Sequence, residues 1–65
     1  MADEARRAVY FEFVAIGNAV KVTAIDSVTA IEVSIMGPAT AAQADLERLA
    51  LRKLRARLAR EGSAP

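Results

Sequence analysis

VYFEFVAIGNAVKVTAIDSVTAIEVSIM, running from Val9 to Met36, holds three apolar stretches separated by Gly17-Asn18 and by a short polar segment beginning at Asp26. Each stretch is rich in β-branched and aromatic residues and short enough to be a strand. Gly17-Asn18 has the form of a two-residue hairpin loop with glycine first. Such a loop sets Ile16 opposite Ala19, Phe13 opposite Val22 and Phe11 opposite Ala24. Because side chains alternate across a sheet, Phe11, Phe13 and Ala15 then share a face with Val20, Val22 and Ala24. A second hairpin whose loop is Asp26 to Thr29 places Ala24 opposite Ile31, Val22 opposite Val33 and Val20 opposite Ile35. All three strands thereby turn the same set of side chains to one core face, and a slip of one residue would turn them to water.

The opposite face carries Glu12, Thr23 and Glu32 in one row and Val14, Lys21 and Ser34 in the next. Tyr10, Val14, Ile16, Ile25 and Met36 also point that way. Single exposed apolar side chains are normal, but this is more apolar surface than a water-facing side needs. Exposed edges and apolar patches invite pairing, so these five residues are candidate contacts with another subunit.

Downstream, Gly37-Pro38 is expected to end the third strand. Thr40-Ala-Ala-Gln43 has the form of a capping box that starts a helix, strong helix formers continue to Arg60, and Gly62 stands where a C-terminal cap belongs. At helical spacing Leu46, Ala50, Leu54 and Leu58 form one stripe, joined by Leu51 and Ala44, that covers the Phe and Val face. Leu49 falls on the other flank with Ala42 and Ala56 and is a further candidate oligomer contact. Arg48, Arg52 and Arg55 make a basic ridge that could hold phosphates; the plainer reading is a solvated outer face with weak ion pairs. The expected architecture is α+β: a three-stranded antiparallel β-meander packed against one C-terminal α-helix. Residues 9–62 make a single domain between a flexible tail at 1–8 and a short one at 63–65.

Composition narrows function mostly by exclusion. A chain of 65 residues buries only ~60% of its unfolded surface, and small domains compensate with disulfides, metals or association. Cysteine and histidine are absent, which removes disulfides and makes a metal site improbable. An apolar fraction of 54% exceeds the roughly 45–50% of ordinary domains and points to self-association. The formal charge of +1 is too balanced to mark a nucleic-acid or membrane protein, although the helix carries most of the positive charge. No uncharged stretch reaches the ~18 residues of a membrane span, and the start MADEARR is unlike a secretory signal. A cytoplasmic location is expected.

Chemistry-bearing groups are sparse. A thiol nucleophile and a histidine base or ligand are impossible, and no phosphate-binding loop or dinucleotide fingerprint occurs. Glu12 and Glu32, flanking Thr23, could form a carboxylate pair, but with Lys21 nearby they read as surface charges. No enzyme activity and no cofactor are expected. The favoured function is a small protein-interaction or regulatory module acting as a homo-oligomer, possible contacts being Tyr10, Val14, Ile16, Ile25, Met36 and Leu49. The alternative is nucleic-acid binding through Arg48, Arg52 and Arg55, disfavoured because no aromatic residues stand beside the arginines to stack bases. Integrase-type DNA-binding domains have a similar sheet-plus-helix plan, but they need basic residues on the open sheet face, where only Lys21 stands.

Tyr10-Phe-Glu-Phe, the run from Gly17 to Asp26, Glu32-Val-Ser-Ile and Gly37-Pro-Ala resemble a small uncharacterised family of short alphaproteobacterial proteins, a domain of unknown function. The resemblance spans about Val9 to Gly62. It implies a bacterial cytoplasmic protein and supplies no site residue.

Overall fold

A computed structural model describes residues 7–62. Three antiparallel strands, β1 (Val9–Ile16), β2 (Ala19–Asp26) and β3 (Glu32–Pro38), are followed by one helix, α1 (Gln43–Arg60). The strands form one open sheet in the order β1-β2-β3. The expected α+β meander with a C-terminal helix is the observed fold. Of the tail expected at 1–8, residues 1–6 lie outside the described residues, as do 63–65, whereas Arg7 and Ala8 bond to Asp26 and Ser27.

The first hairpin has the register that its turn demands, from Ile16 opposite Ala19 to Phe11 opposite Ala24. Gly17 sits at φ 59 while Asn18 stays out of the left-handed region, as a glycine-first turn requires.

The second hairpin differs from expectation by two residues. Ala24 faces Val33, Val22 faces Ile35 and Val20 faces Gly37. A shift of two preserves which face each side chain occupies, so the core face is unchanged. The cause is Asp26, which is the last residue of β2 and not part of the loop. Its carboxylate accepts from Thr29 N and Thr29 Oγ1, both at 2.9 Å, while Asp26 N donates to Ile31 O and Ala30 N to Asp26 O. The loop therefore runs from Ser27 to Ile31, with Ala30 at φ 63.

Rows on the rear face change accordingly. They run Tyr10–Ile25–Glu32, Glu12–Thr23–Ser34 and Val14–Lys21–Met36. Thr23 is buried and shares a hydrogen bond with Ser34 (2.9 Å). Glu12 and Glu32 do not flank Thr23; they stand in different rows on opposite edge strands.

Gly37-Pro38 does not end β3 but completes it. Gly37 packs directly beneath Leu46 Cδ2, a contact that leaves no room for a β-carbon. Pro38 lacks an N–H, a loss tolerated at a strand end. The chain then turns, Ala41 N donating to Pro38 O, and α1 begins at Gln43 behind Ala42 with no side-chain cap. The capping box is thus not formed: Thr40 is spent in the turn, three residues before the helix. At the other end Gly62 takes φ 75 and returns its N–H to Ala59 O, as a glycine beyond a helix C-terminus does.

The core is Val22, Ala24 and Val33 against Leu46, Ala50, Leu54 and Leu58. Ala44, expected to join that stripe, is exposed, and Leu51 is half-buried. The helix lies over β2 and β3. That offset leaves β1 only partly covered, and it positions everything that follows.

Candidate interaction site

Backbone direction along β1 follows from alternation. In an antiparallel ladder every second residue turns its N–H and C=O to one neighbour and the residues between turn theirs away. Ala8 O accepts from Ser27 N at 2.9 Å, and a two-residue turn closes on the pair Ile16 and Ala19, so the even-numbered residues of β1 bond to β2. The amides and carbonyls of Val9, Phe11, Phe13 and Ala15 therefore face the free edge. β1 contains no proline or lysine, and Glu12 is its one charged residue, so little on this strand blunts its edge.

By the same alternation the free edge of β3 belongs to Glu32, Ser34, Met36 and Pro38. Lys53 reaches from α1 and donates through Nζ to Ser34 O at 2.7 Å. Pro38 has no amide to offer. Among the described residues, then, the β3 edge has one carbonyl latched, while the outward groups of β1 have no partner.

Beside the open edge, the offset of α1 leaves two recesses on the core side. One of ≈ 290 Å³ is lined by Phe13, Ala15, Val20, Ala39, Ala41, Gln43 and Leu46. The other, ≈ 340 Å³, is lined by Phe11, Ala44, Glu47, Arg48 and Leu51. Both are walled on one side by β1 and roofed by the helix.

Among the candidate contacts, Tyr10 (61% exposed), Val14, Ile16 (50%) and Met36 (57%) stand on the rear face, uncovered. Ile25 is half-buried beside Tyr10, a correction to its expected exposure that follows from its central strand. Tyr10 is separated from Val14, Ile16 and Met36 by the polar row of Glu12, Thr23 and Ser34. Leu49 is exposed on the helix, on the other side of the sheet, and does not join them.

Arg48, Arg52 and Arg55 are all exposed along α1. Arg48 Nη1 bonds Asp45 Oδ1 at 3.0 Å in a solvated i, i+3 pair, which the macrodipole and spacing favour only weakly. Arg57 and Glu61 form a similar pair.

A polar cluster that the sequence pattern does not announce joins the chain start to the β2–β3 loop. Arg7 Nε and Nη2 donate to the two oxygens of Asp26 at 2.8 and 3.3 Å. Asp26 is 1% exposed. The Arg7 hydrogen bonds hold its carboxyl well below the usual carboxylate range, against the opposing effect of burial and with the help of Thr29. Around it Ala8 N donates to Ser27 Oγ. The Asp-x-x-Thr spacing was the one available signal, an Asx-type turn; nothing local marks Arg7 as its partner. No buried side-chain nitrogen or oxygen among the described residues lacks a partner, so the cluster reads as a clasp.

Among the described residues no group of three His, Cys, Asp or Glu side chains is arranged to hold a metal ion, and no helix is long and apolar enough to cross a membrane. Compared with known proteins, the chain matches one family model, described as a domain of unknown function (DUF6898), over residues 6–61. No curated protein and no solved structure matches it.

Proposed function

Since the chain belongs to the DUF6898 family, a domain of unknown function, its role has to come from its own surfaces, and we propose that it is a non-catalytic protein-interaction or regulatory module acting as a homo-oligomer. The observation that carries this is the helix covering a single face of a three-stranded sheet while Tyr10, Val14, Ile16 and Met36 stay bare on the other. Three strands with one helix are close to the minimum that persists in water, and association is the remaining way to cover apolar surface in a chain without cysteine. The proposed setting is the bacterial cytoplasm, as the alphaproteobacterial resemblance implies. Sedimentation equilibrium between about 5 and 200 µM tests the reading, this being the range in which a small interface saturates. A mass above that of one chain supports it, and a well-folded monomer throughout refutes it.

The exposure of all three ridge arginines favours a second reading, binding of nucleic acid along α1. Retention of mixed nucleic acid that weakens steeply with salt and vanishes in the R48A/R52A/R55A variant supports it. No retention at low salt removes it.

A further inference from the structure

We infer that the second copy docks on the open edge of β1, the two β1 strands pairing antiparallel about a two-fold axis beside Phe13 to give one continuous six-stranded sheet with both helices on the same side. This rests on the homo-oligomer reading and names its surface. Among the described residues the β3 edge has one carbonyl held by Lys53 and a proline without an amide, whereas the amides and carbonyls of Val9, Phe11, Phe13 and Ala15 have no partner in the β1–β2 ladder. A homodimer formed by two such edges is isologous and therefore closed.

Side-chain chemistry selects the register. Only registers that pair odd residues with odd residues bring the outward amides and carbonyls together. Placing the axis at Glu12 would set two carboxylates face to face, which is destabilising. Placing it at Phe11 sets Glu12 against Tyr10 and takes Ile16 past the start of the partner's β1. With the axis at Phe13, Phe11 of each copy lies opposite Ala15 of the other, and about six backbone hydrogen bonds form. On the rear face Tyr10 then meets Ile16 of the second copy, so the two most exposed apolar side chains of β1 cover each other. Ala15 leaves its recess open, and the incoming Phe11 is the ring placed at its mouth.

The area available is that of a weak, self-paired interface. Tyr10, Val14 and Ile16 expose on the order of 300 Å² per copy, judged from side chains of this size. Edge pairing covers the flanks of these side chains and not their rear-facing surface, so with the edge backbone and Phe11 and Phe13 the area buried stays under about 1,000 Å² in total, in the range of weak, transient contacts. The dimer is therefore expected in the micromolar range.

The 65-residue chain tests this directly. Ala15→Pro removes an amide that faces outward and leaves the bonds to β2 intact, so it should keep its circular dichroism and weaken the dimer by about ten-fold or more. Met36→Lys and Leu49→Lys, away from the seam, should leave dimerisation unchanged. Because the chain has no cysteine, a mixture of Glu12→Cys and Val14→Cys proteins should form a disulfide across the non-hydrogen-bonded pair, while Glu12→Cys alone should not. A wild-type monomer overturns the oligomer reading as a whole. A wild-type dimer that survives Ala15→Pro, or that is dissolved by Met36→Lys or Leu49→Lys, overturns the β1 seam while leaving self-association standing. A disulfide from Glu12→Cys alone overturns the register.

Discussion

Replacing Asp26 by alanine should remove a third or more of the stability of this fold. The carboxylate accepts four hydrogen bonds: two from Arg7, one from Thr29 N and one from Thr29 Oγ1. Taking away one partner of a buried ion pair costs about 3–5 kcal/mol. Here the loss is moderated because the Arg7 side chain keeps 21% exposure and can turn to water, so about 3 kcal/mol is expected. Against a total of roughly 3–10 kcal/mol for a domain of this length, that loss is about a third or more. Asp26→Asn keeps the shape and an acceptor for Thr29 but loses the charge, and should cost about 2 kcal/mol at pH 7. The pH dependence has a definite sign. A carboxylate whose folded pKa lies below its unfolded value of ~3.9 contributes stability that is full above about pH 5 and fades as pH falls below it. The gap between wild type and Asp26→Asn should accordingly narrow between pH 6 and pH 3. Urea unfolding followed by far-ultraviolet circular dichroism, at one fixed protomer concentration, measures both effects. A loss under 1 kcal/mol for Asp26→Ala, or a gap indifferent to pH, would refute the clasp.

Gly37→Ala drives a β-carbon into Leu46 Cδ2; overpacking of this kind costs about 1–3 kcal/mol, and an unchanged melting temperature would contradict it. Ala30 holds φ 63, a conformation that costs an L-residue roughly 1–2 kcal/mol, so Ala30→Gly should raise the urea midpoint despite the added freedom of the unfolded chain. Lys53→Met keeps the aliphatic stem but unlatches Ser34 O; its stability should change by less than about 1 kcal/mol, while light scattering of concentrated solutions should grow with time. Scattering that stays at the wild-type level would show that β3 needs no guard.

Much of this fold was legible in the residues because two of its rules are local. Gly17-Asn18 fixes a hairpin register by turn geometry alone, and the spacing of Leu46, Ala50, Leu54 and Leu58 identifies the buried side of the helix. The failures have a common physical origin in groups that act at a distance. Turn residues at Asp26 to Thr29 point to a loop there, yet Arg7, nineteen positions away, makes the burial of Asp26 tolerable, and the loop that follows is one residue longer. Thr40 and Gln43 satisfy the pattern of a cap, but the strand claims Gly37 and Pro38 and the turn consumes Thr40. The exposed side chains Tyr10, Val14, Ile16, Met36 and Leu49 were legible from alternation and periodicity. Val28, exposed at the second loop, was not among them, and neither was the unequal treatment of the two sheet edges, which depends on where a lysine on another element comes to rest.

The Lys53 latch has a consequence for how far assembly can run. Endless stacking of strands into a fibril requires each unit to offer two sticky borders, and a unit with one dead border can only terminate growth. If two copies pair through β1 as proposed, that border is used up in the pair, and each outer border is a β3 strand whose Ser34 carbonyl already holds an ammonium group.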